Sequence, residues 1–211
     1  MRGLILALAA AVLVCAGCTR NYGDTSLYQI SGRQKPVVAV LPVINQTSVT
    51  DIPWDLSREL TDEIRKRVYD SKRIYLLREG SSLDVAQLLS VPNPMAISRT
   101  AAESLGAAEY AVVTEIVAQE EKTYRGRSES GAVLSHGLRV RVLDLRKGTP
   151  KVILQEILDK DYVVARAYMN CDYSKMAWGT DAYNHTPMGM AHNRLVRELV
   201  GRVESYIEAS Q

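Results

Sequence analysis

Phenylalanine is absent from the 211-residue chain, and its aromatic surface is carried by 11 Tyr and 2 Trp. Tyrosine buries area while keeping a polar tip wet, so several of these rings are expected at the margin of a core or on a contact surface. An excess of either charge is also missing. Lys+Arg number 26 against Asp+Glu 24, a net charge of +2. That balance excludes the strong basic excess of a dedicated nucleic-acid binder. Cysteine and histidine are scarce, three of each. The chain contains no Gly-x-Ser-x-Gly, no phosphate loop, no dinucleotide fingerprint and no His-Glu-x-x-His, so no motif points to a cofactor. Nor is there an uninterrupted apolar run of about 20 residues, the length a spanning helix needs. What is present, 46% apolar and 24% charged residues, belongs to a folded chain rather than a disordered one.

The amino terminus sets the compartment. Arg2 precedes an apolar run from Leu4 to Val14, then Cys15-Ala16-Gly17-Cys18, and the chain turns polar at Thr19-Arg20-Asn21. A charged start, a short greasy core and small residues before a boundary form a secretory signal. Ala16-Gly17-Cys18 resembles the lipobox of bacterial lipoproteins, although Cys15 stands where leucine is usual. The resemblance implies that residues 1–17 are removed and that Cys18 takes a diacylglyceryl group on its thiol and an acyl chain on its amine. Two or more acyl chains anchor stably where one holds only marginally. Thr19 rather than Asp after the cysteine implies sorting to the outer membrane, facing the periplasm. Cys171 is then the one free thiol, and no intramolecular disulfide can form.

Residues 18–35 read as a lipidated cysteine and flexible tether with an r.m.s. span of roughly 20–25 Å, and 36–211 as a single periplasmic domain. The apolar, β-branched run Val37 to Ile44 predicts a buried strand that must end or bulge at Pro42. Leu56, Leu60, Ile64 and Val68 at spacing four predict a helix over Trp54 to Tyr69, started by Asp51 and Pro53. Ile74 to Leu77 reads as a second strand, and Leu83 to Leu89 and Ala96 to Leu105 as helical segments. Three further strands are expected: Glu109 to Val117 or beyond, one containing Leu138, Val140 and Val142, and Val152 to Val164. A last helix is capped by Thr186 with Pro187 at its first position. It buries Leu195, Val196, Leu199, Val203 and Tyr206 or Ile207. The fold class is α/β: a mixed sheet of about five strands in the order β-α-β-α-β-β-β-α, with parallel early crossovers, a closing antiparallel meander and helices packed on it.

Four stretches carry a further resemblance. Val38-Ala39-Val40-Leu41-Pro42 with Asn45, Ala101 to Val113, Arg141 to Gly148, and Thr186 to Ala191 with Leu195 and Val196 are similar, in the same order, to the curli-secretion-lipoprotein superfamily. That grouping includes the lipoprotein activators of penicillin-binding proteins and the amino-terminal domain of the Tol β-propeller protein. The resemblance implies a non-enzymatic envelope protein with a protein partner, a cell-wall synthase or a secretion or assembly component. Glu120, Glu121, Lys122, Arg125 and Arg127 argue against a lipid-facing hairpin of the curli-channel type.

Two candidate sites remain. Arg166 to Met190 is too long and too aromatic for a plain connection. Tyr173, Trp178 and Tyr183 are its candidate partner-binding residues, the types that anchor interfaces. The competing reading is a lid lying on the sheet, with Trp178 buried and Tyr173 and Tyr183 exposed. The enzymatic alternative is a lipid-anchored hydrolase or metal-dependent enzyme using Cys171, His185 and His192, the two histidines seven apart across the predicted cap. A metal site usually needs three or four ligands, so none is assigned.

Overall fold

A computed structural model describes residues 29–30, 33–47, 52–77, 99–125, 130–165 and 171–211. The chain divides into Met1–Lys35 and Pro36–Gln211. In the first unit β1 (Gln29–Ile30) pairs antiparallel with β2 (Arg33–Gln34). Leu83 to Leu89, predicted as helical, lies outside the described residues, as do the predicted leader and Cys18.

The second unit is the predicted mixed α/β domain. Its strands are β3 (Val37–Val40), β4 (Ile44–Asn45), β5 (Tyr75–Leu76), β6 (Tyr110–Arg125), β7 (Ser130–Asp144) and β8 (Lys151–Val164). Its helices are α1 (Leu56–Ser71), α2 (Arg99–Ser104), the short α3 (Asp181–Asn184) and α4 (Pro187–Ala209). The sheet runs β5-β3-β6-β7-β8, with β4 pairing β6 beyond the end of β3. β3 is parallel to both β5 and β6, while β6, β7 and β8 form the antiparallel meander. Pro42 sits between β3 and β4, where no ladder donor is required of it.

The bounds of α1 and of β6 and β7 differ from the sequence reading, each for a local reason. α1 is started by Asp55, whose side chain accepts from Ser57 N, rather than by Asp51 and Pro53. β6 and β7 extend well past the apolar stretch because each supplies the other's hydrogen bonds out to Arg125 and Ser130. At the end of α4, Ile207 is buried and Tyr206 is exposed.

One face of the sheet packs on α1 and α4. Val38, Val40, Val112, Val140 and Val142 meet Leu60, Ile64, Leu195, Leu199 and Val203 there. Fully burying an aliphatic side chain of this kind contributes about 1.5–3 kcal/mol. Arg65 ties α1 to the sheet by donating to Val40 O at 2.8 Å, and Thr61 Oγ1 accepts from Val43 N. The opposite face carries a smaller core built from Ala39, Leu41, Ala101, Leu105 and Val113. The pairing of β6 with β7 slips between Ile116 and Ala118. A strand presents alternate residues to alternate faces, so this bulge at Val117 turns Gln119 to the α4 side, opposite His136.

Candidate functional site

The apolar stripe of α1 contains one acid. Glu59 lies between Leu56 and Leu60 on the buried face and is 1% exposed. A carboxylate there must be paired or hydrogen-bonded, and the partners come from the segment before α4, from α4 itself and from Trp54 just ahead of α1. Thr180 caps α3 and places Tyr183 on the interior. Thr186 then caps α4, accepting from Gly189 N at 3.1 Å and donating to Tyr183 O at 2.7 Å. This tight reversal needs Gly189. A Cβ at that position would stand 2.2 Å from Tyr183 O, so a side chain would force α3 and α4 apart. One turn further, His192 faces Glu59.

Both oxygens of Glu59 are used. Oε1 accepts from the Tyr183 hydroxyl at 2.5 Å and stands 2.8 Å from His192 Nδ1. Oε2 accepts from the Trp54 indole N–H at 2.7 Å. Trp54 also meets the Tyr183 ring edge-on at 5.2 Å. Burial is the largest influence on Glu59 and raises its pKa. The hydrogen bond and charge of His192, with the Tyr183 and Trp54 donors, outweigh it and hold the carboxyl below its usual range. Burial and then the Glu59 charge push the Tyr183 phenol far up.

A second pair extends the cluster into the sheet. His136 on β7 stands edge-on to His192 at 4.8 Å between ring centroids. Its Nδ1 lies 2.5 Å from Gln119 Oε1. A carbonyl oxygen only accepts, so Nδ1 carries the proton and Nε2 is left a bare acceptor, with no hydrogen-bond partner. Burial, followed by the charge of His192, pushes the His136 pKa down to about 3. Beside this cluster Glu59, Gly179, Tyr183, Gly189 and His192 line a cavity of about 10 Å³. That is room for about one water molecule, far short of the several hundred Å³ of a ligand pocket. Among the described residues no three His, Cys, Asp or Glu side chains converge as metal ligands.

The residues singled out from sequence are dispersed. Tyr183 is 3% exposed and its hydroxyl is committed to Glu59. The expectation that it stands exposed for a partner is therefore overturned, because the α3–α4 reversal folds it inward. Tyr173 and Trp178 are half-buried on the segment leading into α3. Cys171, His185 and His192 do not assemble. Burial and then Glu121 raise the Cys171 thiol, the opposite of what a nucleophile needs. His185 is exposed, with Nδ1 donating to Asp181 O, while His192 is buried against Glu59. Sequence reasoning missed Glu59, Trp54 and Gln119. The available signal was an acid within an apolar helical stripe.

Several proteins are similar to this chain. The hypothetical protein CT253 from Chlamydia trachomatis is 37% identical, with a TM-score of 0.68 over 83% of this chain and 99% of that one. Protein XCC0632 from Xanthomonas campestris shares the fold at 11% identity and TM-score 0.51, covering 83% of this chain and 88% of that one. Lipoprotein GNA1162 from Neisseria meningitidis aligns at 11% identity and TM-score 0.41, over 81% and 99%. No curated protein matches. Residues 24–211 match a family model described as Family of unknown function (DUF7499). With that match spanning most of its length, the chain belongs to this family.

Proposed function

We propose that the protein is a lipid-anchored envelope factor, held at the outer membrane through Cys18 and facing the periplasm, where its α/β domain binds or assembles other envelope proteins without catalysis. The anchor is supported by the Leu4–Val14 run and Ala16-Gly17-Cys18. Among the described residues no helix is long and apolar enough to cross a membrane. The non-catalytic reading rests on one observation: the acid at the centre of the polar cluster is 1% exposed and has both oxygens taken by protein donors, with about one water's space beside it. A catalytic acid or base must reach the proton it moves, whereas these groups reach one another. The resemblance to the curli-secretion and penicillin-binding-protein-activator lipoproteins gives the partner class, a cell-wall synthase or a secretion or assembly component. Tyr173 and Trp178 form the candidate surface.

Labelling with a fatty-acid analogue tests the anchor. Cys18→Ser is expected to keep its signal and take up no label, while Cys15→Ser labels normally; the reverse result refutes the lipobox. Crosslinking in intact envelopes tests the binding surface. The protein is expected to capture a defined envelope partner, and Tyr173→Ala and Trp178→Ala to capture less of it at equal abundance.

A further inference from the structure

Among the described residues β8 closes the sheet on one side, and no strand pairs with its outer edge. At 14 residues it offers roughly 45 Å of open ladder. Long open edges are usually blunted, because a row of free N–H and C=O groups templates pairing with another chain. Here exposed apolar side chains alternate with the charged ones of the strand. Seven large apolar side chains stand exposed among the described residues, and four lie at this edge: Val152 at 44%, Ile157 at 54%, Val163 at 76%, and Tyr206 at 44%. Tyr206 belongs to α4, four residues beyond Arg202. Arg202 reaches down to Glu156 of β8 at 3.8 Å, so it marks the flank of the helix that overhangs the edge.

The charges along β8 select the occupant. Glu156 and Lys160 flank Leu158 on the α4 side. We propose that β8 pairs antiparallel with β8 of a second copy across a two-fold axis at Leu158, joining two sheets into one. In that register Glu156 faces the partner's Lys160 and Lys160 faces the partner's Glu156, while Leu154 faces the partner's Tyr162. Sliding the pair two residues either way about the axis loses both ion pairs and sets Glu156 and Lys160 against Leu154, Leu158 or Tyr162. On the other face Asp159 meets Ile157 and Asp161 meets Gln155 in the proposed register, and one of the slides sets Asp159 against the partner's Asp159. Opposite charges directly across an antiparallel pair are favourable and like charges are not. The helices fit the same arrangement. α4 packs evenly on β7 and β8, so its axis lies about half a strand spacing inside the edge. Adding the new β8–β8 spacing places the two α4 axes about 10 Å apart, the ordinary distance for packed helices. This inference rests on the sheet edge alone and does not depend on the anchor.

Two full-length copies carrying different tags and Cys171→Ala, one with Ile157→Cys and the other with Asp159→Cys, test it when co-expressed and left in intact cells. Directly opposed residues have Cα atoms about 4.5–5.5 Å apart, within disulfide reach. A mixed-tag disulfide dimer is expected, and Gln155→Cys with Asp159→Cys, out of register, should give at least tenfold less. Glu156→Lys alone should weaken dimerisation roughly tenfold, since it creates two like-charge pairs. Adding Lys160→Glu should restore it. Within each chain Arg202 pairs with Glu156, and Glu198 with Lys160 at 3.7 Å. The double variant still mismatches both, so that rescue has to come from the interface. Thermal melts of each variant check folding. A monomer by light scattering at tens of micromolar, or a dimer indifferent to Glu156→Lys, overturns the proposal. So does finding β8 covered by another envelope protein or by the chain's own first 28 residues. Coverage by another protein would leave the binding-factor reading standing, whereas failure of Cys18 labelling would leave this one standing.

Discussion

His192 Nδ1 lies 2.8 Å from Glu59 Oε1 although 133 residues separate them. This contact joins the first long helix of the domain to the last one at a point where Leu60 and Leu195 are themselves buried. With Trp54 and Tyr183 it forms a network in which every protein donor aimed at the acid is met. Such buried pairs are poor net stabilisers relative to apolar packing, yet breaking one leaves an uncompensated polar group. Their use here is to fix how α1, α3 and α4 sit on the sheet.

Glu59→Gln should therefore be costly. The amide matches the carboxylate in shape but cannot accept on both ends, so either the Trp54 N–H loses its acceptor or the Tyr183 hydroxyl and His192 Nδ1, 3.0 Å apart, must reverse their roles. A loss of about 2–3 kcal/mol is expected from urea unfolding at pH 7. An unchanged midpoint would show that Glu59 does not lock the helices.

Acid should weaken the domain before its exposed carboxylates titrate. The His136 pKa is about 3 in the fold against 6.5 unfolded. Below pH 6.5 the unfolded chain binds a proton that the folded one refuses, so stability falls with pH through this window and down toward 3. Glu59, held below its ordinary value, acts with the same sign near pH 4. Between pH 7.5 and 5 the His136 contribution is about 2 kcal/mol. His136→Gln should be less stable at pH 7.5 yet flatter over this interval. A variant that retains the full wild-type slope would contradict the assignment.

Two glycines of α4 should respond with opposite signs. At Gly189 a Cβ meets the Tyr183 carbonyl oxygen at 2.2 Å, while at Gly201 it meets nothing within 4 Å. Gly189→Ala should cost about 1–3 kcal/mol by overpacking backbone against backbone. Gly201→Ala, in mid-helix, should gain about 0.5–1 kcal/mol from lost unfolded-state entropy. Calorimetry on the pair checks both, and two changes of the same sign would place the α3–α4 reversal wrongly.

The scaffold was legible in sequence because its signals are local. Leu56, Leu60, Ile64 and Val68 mark one helix face, Thr186-Pro187 marks a helix start, and the Val37–Val40 run marks a strand buried on both sides. The polar cluster was hidden for a different reason. Glu59 stands in the apolar stripe of its helix, which signals burial, but nothing local names its partners, which come from positions 54, 183 and 192. The bulge at Val117 has no signature either, since the extra residue is one more apolar side chain in an apolar run, yet it alone brings Gln119 onto the side of His136. Tyr183 was misjudged because the Gly189 reversal that buries it depends on an approach between two helices.

Truncation divides Trp178 and Tyr173 between lid and interface. Both are half-buried, and Tyr173 is hydrogen-bonded to Thr186 and to the Met188 backbone, so Tyr173 already helps to hold the start of α4. A fully buried tryptophan costs about 3–5 kcal/mol on truncation. A half-buried one should cost Trp178→Ala about 1–2 kcal/mol, with the exposed part of the ring free to meet a partner. Tyr173→Phe keeps the ring and removes the hydroxyl, so it should cost about 1 kcal/mol and leave partner capture nearly unchanged. If Trp178→Ala lowers stability by the full-burial amount and capture falls only in step with folded protein, the ring is a lid. If capture falls tenfold or more at full folding, Trp178 is an anchor of the interface.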